Sequence, residues 1–580
     1  MVDSVSTFRA VCRGGLNTGA DVLSLGEESP GSAIQLLNYE PNLEGGYRRL
    51  TGFANNFGTV PGTGSVLGVA VANGVNQGVL ACRTPSSGNN YLHHWNFYFT
   101  VAVTSGQGSS FTVGETVTAV ESSSDDSDTG VSGTVIAKAS ASLTINFGRL
   151  PSSVFATNNV LTGGTSSATT TVTSTPTVIG WTAVSTSGSP TMTGVSKVRF
   201  TEINFGTPKV VLTDGINPAA TYDGTTYTQI THSDAPTDPK FSAIFQNHLF
   251  LAGDPAHPTK LFFSAPLAET DFASANGAGV INVGFPIVAI KSFRNELFVF
   301  GSTNIKKLGG TALANFALQT VTEDLGCLAT DSVIEIGGDL LFLSQDGLRP
   351  IAGTAKIGDV NLETVSKNIQ SIFTDIVFDI DLDTLNAVVI RQKSQFRYFF
   401  GAADSQGIIG GFRQTPNGLQ FEYSQMLGIT ATCADSGYIG QNEFVLHGTS
   451  DGKVQQQESG NSFAGDPIFS IFQTPFYYLQ DPEQRKIFYS VATYLRSEGD
   501  NSIVLSTVYD YEDVDTLNPT NFNLTTTGAA AYYNEALYNS TAIFDGNPSP
   551  VQRTNIEGSG KSASLKFVTN DTSASHSIQG

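Results

Sequence analysis

Residues 247–265 read NHLFLAGDPAHPTKLFFSA: a polar residue, a short apolar run, a turn carrying Gly253 and Pro255, and a second apolar run. Runs of this length, rich in Leu and Phe and bounded by Gly and Pro, predict two short strands rather than a helix. The same unit returns as KVVLTDGINPAATYDG from Lys209, NELFVFGSTNIKKLGG from Asn295, GDLLFLSQDGLRPIAG from Gly338 and NEFVLHGTSDGKVQQQE from Asn442. RYFFGAADSQGIIGGF from Arg397 reads as a further copy. Asp-Gly in several of the turns supplies the positive φ angles of a tight hairpin. Successive copies stand roughly 40 to 57 residues apart, close to the ~40–50 residues of a propeller blade. VLGVAVANG and GVLACR, between residues 66 and 83, predict an earlier blade. The expected fold is all-β, a β-propeller of about six blades. A β-sandwich or several small sheets is the competing arrangement.

Composition agrees with short strands and tight turns. Of 580 residues, 40% are hydrophobic and only 14% charged, so polarity comes from Ser, Thr, Asn and Gly. Such a surface does not suit long solvated helices. The net charge of −21 sets the global field against DNA and RNA, which proteins usually grip with a basic face. Cys12, Cys82, Cys327 and Cys433 are far apart with no CxxC spacing, which predicts reduced, buried thiols and neither a disulfide framework nor a zinc site. The opening MVDSVSTFRAVC lacks a basic segment followed by an apolar core, so synthesis in a cytoplasm is expected. No apolar run reaches the ~18 residues needed to span a bilayer, and no membrane anchor is expected.

The chain divides by pattern into four parts. Residues 1–101 hold an N-terminal segment and the first propeller strands. Residues 102–178 are rich in Ser, Thr, Gly and Val, and FTVGETVTAV, GTVIAKASASLTINF and TTTVTST alternate apolar with polar, predicting a small inserted β-domain. Residues 179–460 form the main propeller. Residues 461–580 return to strand patterning as a C-terminal β-domain, placed to close the propeller. One helix is expected in VSKNIQSIFTDIV, where Ile369, Ile372, Phe373 and Ile376 share a face.

Catalytic and metal motifs fail on inspection. EGSGKSA, residues 557–563, ends like a phosphate-binding loop, but Asn555 stands where the first glycine belongs and a strand pattern follows. Asp125, Asp126 and Asp128, and Asp379, Asp381 and Asp383, resemble calcium loops, yet Thr384 and Ile390 occupy the Gly and Glu positions of the second. His93 and His94 are adjacent on a strand and point to opposite faces, which does not suit one metal. SQDGLRPI has Ser344 and Asp346, but its glycine comes one place too early for a sialidase-type turn and no Trp follows. No catalytic residue, cofactor or metal is expected.

Several stretches together resemble a known family. EPNLEGGYRRLTGF (40–53), VVLTDGINPAATYDG (210–224), DLGCLATDSVIEIGGDLLFLSQDGLRPIAG (324–353) with VSKNIQSIF (365–373), and DPEQRKIFYSVATYLRSEGD (481–500) are similar to the nozzle protein of short-tailed podophages, also called tail tubular protein B. The resemblance covers most of the chain outside 102–178. It implies a structural virion protein and not an enzyme: a propeller subunit in a homo-hexameric ring at the tail tip. That ring would dock on the adaptor (gatekeeper) ring, carry fibre or tip proteins, and pass viral DNA through its lumen without specific binding. The inserted Ser/Thr-rich domain departs from that pattern. A carbohydrate-binding or carbohydrate-degrading tail propeller is the alternative, and it would need paired carboxylates; Asp346 and Asp451 lie in turns with nothing to mark them as a pair.

Within the first of those stretches, Gly45-Gly46 predicts a tight turn entering a strand. Tyr47 and Arg49 then face one way and Arg48 and Leu50 the other. Glu44, Tyr47, Arg48 and Arg49 are the candidate assembly residues, a subunit or inter-domain contact. Glu40 and Glu44 are the nearby acids for the arginines.

Overall fold

The computed structural model describes residues 7–75, 77–88, 91–120, 131–147, 155–188, 190, 192–311, 313–351, 364–379, 381–401, 406–415, 418–479, 481–513, 515–526 and 551–580. The fold is all-β and propeller-type, and the α-helices Val22–Glu28 and Gln370–Asp379 are short. Among the described residues no helix is long and apolar enough to cross a membrane. The chain forms two compact units: residues 57–282 with 433–454, and residues 1–56, 283–432 and 455–580.

The first unit holds a hairpin and three antiparallel meanders. The hairpin is Cys433–Ile439 with Asn442–Gly448. The meanders are Thr63–Ala72, Gly78–Thr84, Leu92–Asn96 and Trp181–Ala183; then Arg199–Asn204, Pro208–Thr213, Ala220–Tyr222 and Thr226–Gln229; then Phe241–Phe245, His248–Ala252, Lys260–Phe263 and Gly279–Asn282. They stack face to face, because inner strands such as Gly78–Thr84 and His248–Ala252 are buried on both sides. Val66, Val69 and Val71 enter a core shared with Phe444 and Leu446 of the hairpin. Leu67, Ala70 and Ala72, pointing the other way, pack with Val210 and Leu212 of the next meander. Val211 turns to Leu249, Leu251 and Phe262 of the third. Burial on both faces explains why these strands read as continuous apolar runs rather than alternating ones. Each fully buried Leu, Val or Phe contributes about 1.5–3 kcal/mol.

The residue that opens three of the copies, Asn247, Asn295 and Gly338, has a specific role. Gln246 and Asn247, Arg294 and Asn295, and Gly337 and Gly338 all adopt positive φ. They form two-residue loops closing the pairs Phe245↔His248, Phe293↔Glu296 and Ile336↔Asp339. In these three copies the tightest hairpin turn therefore precedes the first apolar strand, because primed turns match the strand twist.

The inserted domain forms one seven-stranded sheet, from Tyr98–Ala102 to Thr177–Val178. Val101, Phe111, Val117, Val135, Leu143, Ile145, Leu161 and Val172 fill its own core. Its sheet starts at Tyr98, ahead of the composition change at 102, because this first strand carries Phe99 and Val101 inward. The domain lies in sequence between Leu92–Asn96 and Trp181–Ala183, which pair directly through Trp95↔Trp181.

The second unit holds two more blade-type sheets, Ala289–Phe293 through Ala317–Thr322 and Ile334–Ile336 through Gly347–Pro350, sharing Phe298, Phe300, Leu340 and Phe342. The copy from Arg397 is not a separate blade. Its strands Gln395–Phe399 and Gln406–Thr415 pair as expected but belong to a nine-stranded sheet. That sheet continues through Gly418–Leu427, Gln35–Leu37 and Ile468–Gln473 to Ala563–Asp571 and Asn501–Tyr509. Strands after residue 461 are thus interleaved with the N-terminal ones: Tyr47–Arg49 pairs with Tyr39–Pro41 on one side and His576–Ile578 on the other. The expected helix is present at Gln370–Asp379, preceded by a 3-10 turn, with Ile369 and Phe373 buried in this unit's core.

Candidate functional site

Gly45 and Gly46 have φ of 103° and 82°, and the turn is closed by Gly45 N donating to Asn42 O at 3.0 Å. A Cβ on Gly46 would stand 2.2 Å from the carbonyl oxygen of Ile578, so only glycine fits between these strands. The alternation that follows is the one the strand period requires. Tyr47 and Arg49 are buried, and Arg48 is partly exposed on the opposite side. Leu50 lies beyond the strand's end and is buried as well.

Each side chain is engaged within the chain. The Tyr47 hydroxyl donates to Gly31 O at 2.7 Å and accepts from Gly15 N at 2.9 Å. Arg49, 1% exposed, donates to the carbonyls of Ser573 (2.8 Å), Ile468 (3.2 Å) and Asp571, and pairs with the Asp571 carboxylate at 3.0 Å. Its planar fork joins two distant backbone segments, at 468 and at 571–573, which a lysine could not do.

Arg48 belongs to a closed set of six charges. It bonds Glu498 through Nε and a terminal nitrogen, both at 2.6 Å, and Glu40 at 3.0 Å. Lys393 reaches Glu40 at 2.6 Å and also meets Glu458. Arg397, fully buried, meets Glu40 at 3.2 Å, Glu458, and Gln457 at 2.8 Å. Three cations thus face three anions, and exposure rises outward from Arg397 at 0% to Glu498 at 41%. Burial raises the Glu458 pKa, but Arg397 and Lys393 overcome that and hold it at about 2. Glu458 has φ of 58°, a strained conformation for a residue with a Cβ, held here where its carboxylate meets Arg397. His576, bonded to the Tyr39 hydroxyl at 2.9 Å, is pushed down to about 3 by burial and then by Arg49 and Arg48. Glu44 stands apart: it is exposed and pairs with exposed Arg496.

Of the residues singled out in the sequence, Arg48 comes together with Glu40, while Tyr47 and Arg49 turn to the other face of the strand. Lys393, Arg397, Glu458, Glu498 and Asp571 were not foreseen. Their links to residues 40, 48 and 49 span hundreds of positions, and only the strand register creates them.

The other motifs are structural. In EGSGKSA, the amides of Lys561 and Ser562 donate to Asp510 Oδ1 at 2.6 and 3.0 Å, so a carboxylate already fills the place a phosphate would take. The chain continues as the strand Ala563–Asp571. Asp381 caps a 3-10 turn by accepting from Asp383 N, while Asp125, Asp126 and Asp128 lie outside the described residues. His94 bonds the Tyr222 hydroxyl at 2.8 Å and His93 the Tyr91 carbonyl at 3.3 Å. Asp346 is tied to Arg349 and Asp451 to Lys453. Among the described residues no group of three or more His, Cys, Asp or Glu is arranged to hold a metal. All four cysteines are buried and none is in a disulfide, and burial pushes the Cys12 thiol up to about 12 and Cys327 to about 11.

No family model matches the chain, and no curated protein matches it. Among solved structures it is similar to Hsv2 of Kluyveromyces lactis at 9% identity and a TM-score of 0.27, over 63% of this chain and 98% of that one. It is also similar to an ancestral GH74 enzyme at 10% identity and a TM-score of 0.25, over 73% of this chain and 50% of that one. At these values neither likeness transfers an activity.

Proposed function

We propose that the chain is a structural subunit of the tail nozzle of a short-tailed phage. In this reading six copies form a ring that docks on the adaptor ring, supports fibre or tip proteins, and conducts DNA. The observation that carries the reading is the ordered series of stretches resembling that family, above all Asp324–Gly353 followed by VSKNIQSIF. Two physical features support it. A conduit must not hold its cargo, and a net charge of −21 works against retention of a polyanion. The conspicuous arginines, Arg48, Arg49 and Arg397, are consumed in contacts within the chain and leave no forked donors for phosphate. A head-to-tail interface whose rotation closes gives a ring rather than a filament. Native mass spectrometry of the full chain tests this: a hexamer supports the reading, and a monomer or trimer at every concentration contradicts it. Gel retardation with duplex DNA at low salt should show no shift.

A further inference from the structure

The stretch RKIFYSVATYLRS, residues 485–497, pairs with VQRTNIEGSGK, residues 551–561, as one antiparallel ribbon. Its ladder runs from Lys486↔Gly560 and Ile487↔Ser559 to Ser490↔Asn555 and on to Tyr494↔Val551. Ile556 N, donating to Tyr489 O at 3.0 Å, joins the two parts. Thr493 and Leu495 turn inward and are buried, so Ser490, Ala492 and Tyr494 lie on the outer face. Arg553, opposite Ala492, lies there with them.

Two properties set this face apart. The first is charge. The ribbon holds five cations, Arg485, Lys486, Arg496, Arg553 and Lys561, and one acid, Glu557, in a chain of net charge −21. Arg496 and Lys561 are answered by Glu44 and Glu483. Arg485 donates to the Ser559 carbonyl and Lys486 to the carbonyls of Asp481, Gln484 and Lys561, none of them an anion. Arg9, from the N-terminal segment, adds a further cation, its guanidinium 5.5 Å over the Tyr494 ring. Among the described residues neither Arg9 nor Arg553 meets a carboxylate. The second property is exposure. Ile487 and Tyr489 are 65% and 63% exposed, and Phe8, Val11 and Tyr494 are exposed beside them in the chain. Single exposed apolar side chains are ordinary, but tyrosines set among arginines are what contact surfaces concentrate.

We propose that this ribbon, with Arg9, is the face by which one copy of the chain docks on the acid-rich surface of a second copy. The inference rests on the ring proposed for six copies and names one side of the contact between neighbours. Charge selects the occupant. With 51 acidic against 30 basic residues, a neighbouring copy presents mostly carboxylates, for which the guanidinium groups of Arg9 and Arg553 offer forked donors. Another copy's ribbon does not suit, because like charges would meet. The contact is therefore head-to-tail, the kind whose rotation can close a ring. Exposed ion pairs alone are worth little, so Ile487 and Tyr489 supply the apolar area that such a contact buries.

Sedimentation velocity of the full chain at low and high salt tests it, with Arg9→Glu/Arg553→Glu and Tyr489→Ala beside the wild type. The expected result is a wild-type assembly loosened by salt, and at least tenfold weaker self-association in both variants. Melting temperatures should stay unchanged, since all three side chains are exposed. A wild-type hexamer matched by equally tight variants overturns this inference and leaves the ring standing. A wild-type monomer at every concentration overturns the ring and this inference with it. Wild-type dimers lost in the variants support the face and contradict the six-fold ring. Duplex DNA retarded by the wild type and released by the double variant would assign the face to phosphate and overturn the proposal.

Discussion

The joint around Arg48 and Arg49 and a surface cleft of about 560 Å³, walled by the loop Ser233–Thr237 and the turn holding Asp254 and His257, use the same residue types to opposite ends. In the joint every charge has a partner: three cations and three anions close on one another, and Arg49 satisfies three carbonyls. In the cleft Asp234, Ser233 and Ser274 have none among the described residues, and His257 only rests on a ring. Complete pairing means the groups serve the fold, since losing one partner strands a buried charge. Polar groups without partners, exposed at the rim of a cleft, carry no such load on the fold.

The largest expected effect is in the joint. Arg49→Ala should destabilise the chain by about 3–5 kcal/mol, because it leaves buried carbonyls and Asp571 without their donor. Chemical denaturation measures it, and a loss below about 1 kcal/mol would break the contrast. Arg397→Ala should rank next, since Glu40 and Glu458 would then rely on Lys393 and Arg48. Hydrogen exchange should show the 393–399 and 455–458 strands opening first.

The joint also sets the response to acid. The His576 pKa is depressed from 6.5 to about 3, so its contribution is complete above about 6.5 and drains as pH falls towards 3. Glu458 is depressed from 4.5 to about 2, so its contribution is present above about 4.5 and lost as pH falls towards 2. Melting temperature should therefore decline in two stages on acidification. His576→Gln should flatten the upper stage, and an unchanged profile would contradict the assignment.

At the small end, Glu44→Ala should cost no more than about 1 kcal/mol, because its pair with Arg496 is exposed on both sides. Thermal denaturation of that variant beside Arg49→Ala sharpens the comparison within one turn and strand. Asp234→Asn and His257→Ala, at the cleft, should likewise leave stability unmoved.

What could be read from the sequence follows from range. Strands such as His248–Ala252 are buried on both faces, so their character is written in consecutive residues and was legible. So was the alternation of the inserted domain, where Val117, Val135 and Leu143 point inward between exposed Thr and Ser. The Arg397 copy misled because a strand-turn-strand signal is local, while membership of a blade is decided by what pairs at the edges; here the neighbour is Gly418–Leu427, which meets Gln35–Leu37 in parallel. The partners of Arg48 were half legible. Glu40 lies on the adjacent strand of the same hairpin, whereas Glu498 arrives from a distant strand. The cleft was illegible because Asp234 and His257 sit in turns, where acids and imidazoles are ordinarily just solvated.

Electron microscopy of the purified full chain is the most direct measurement of the central claim. The account predicts six-fold rings with an open centre, and trimeric spikes or dispersed single copies would contradict it.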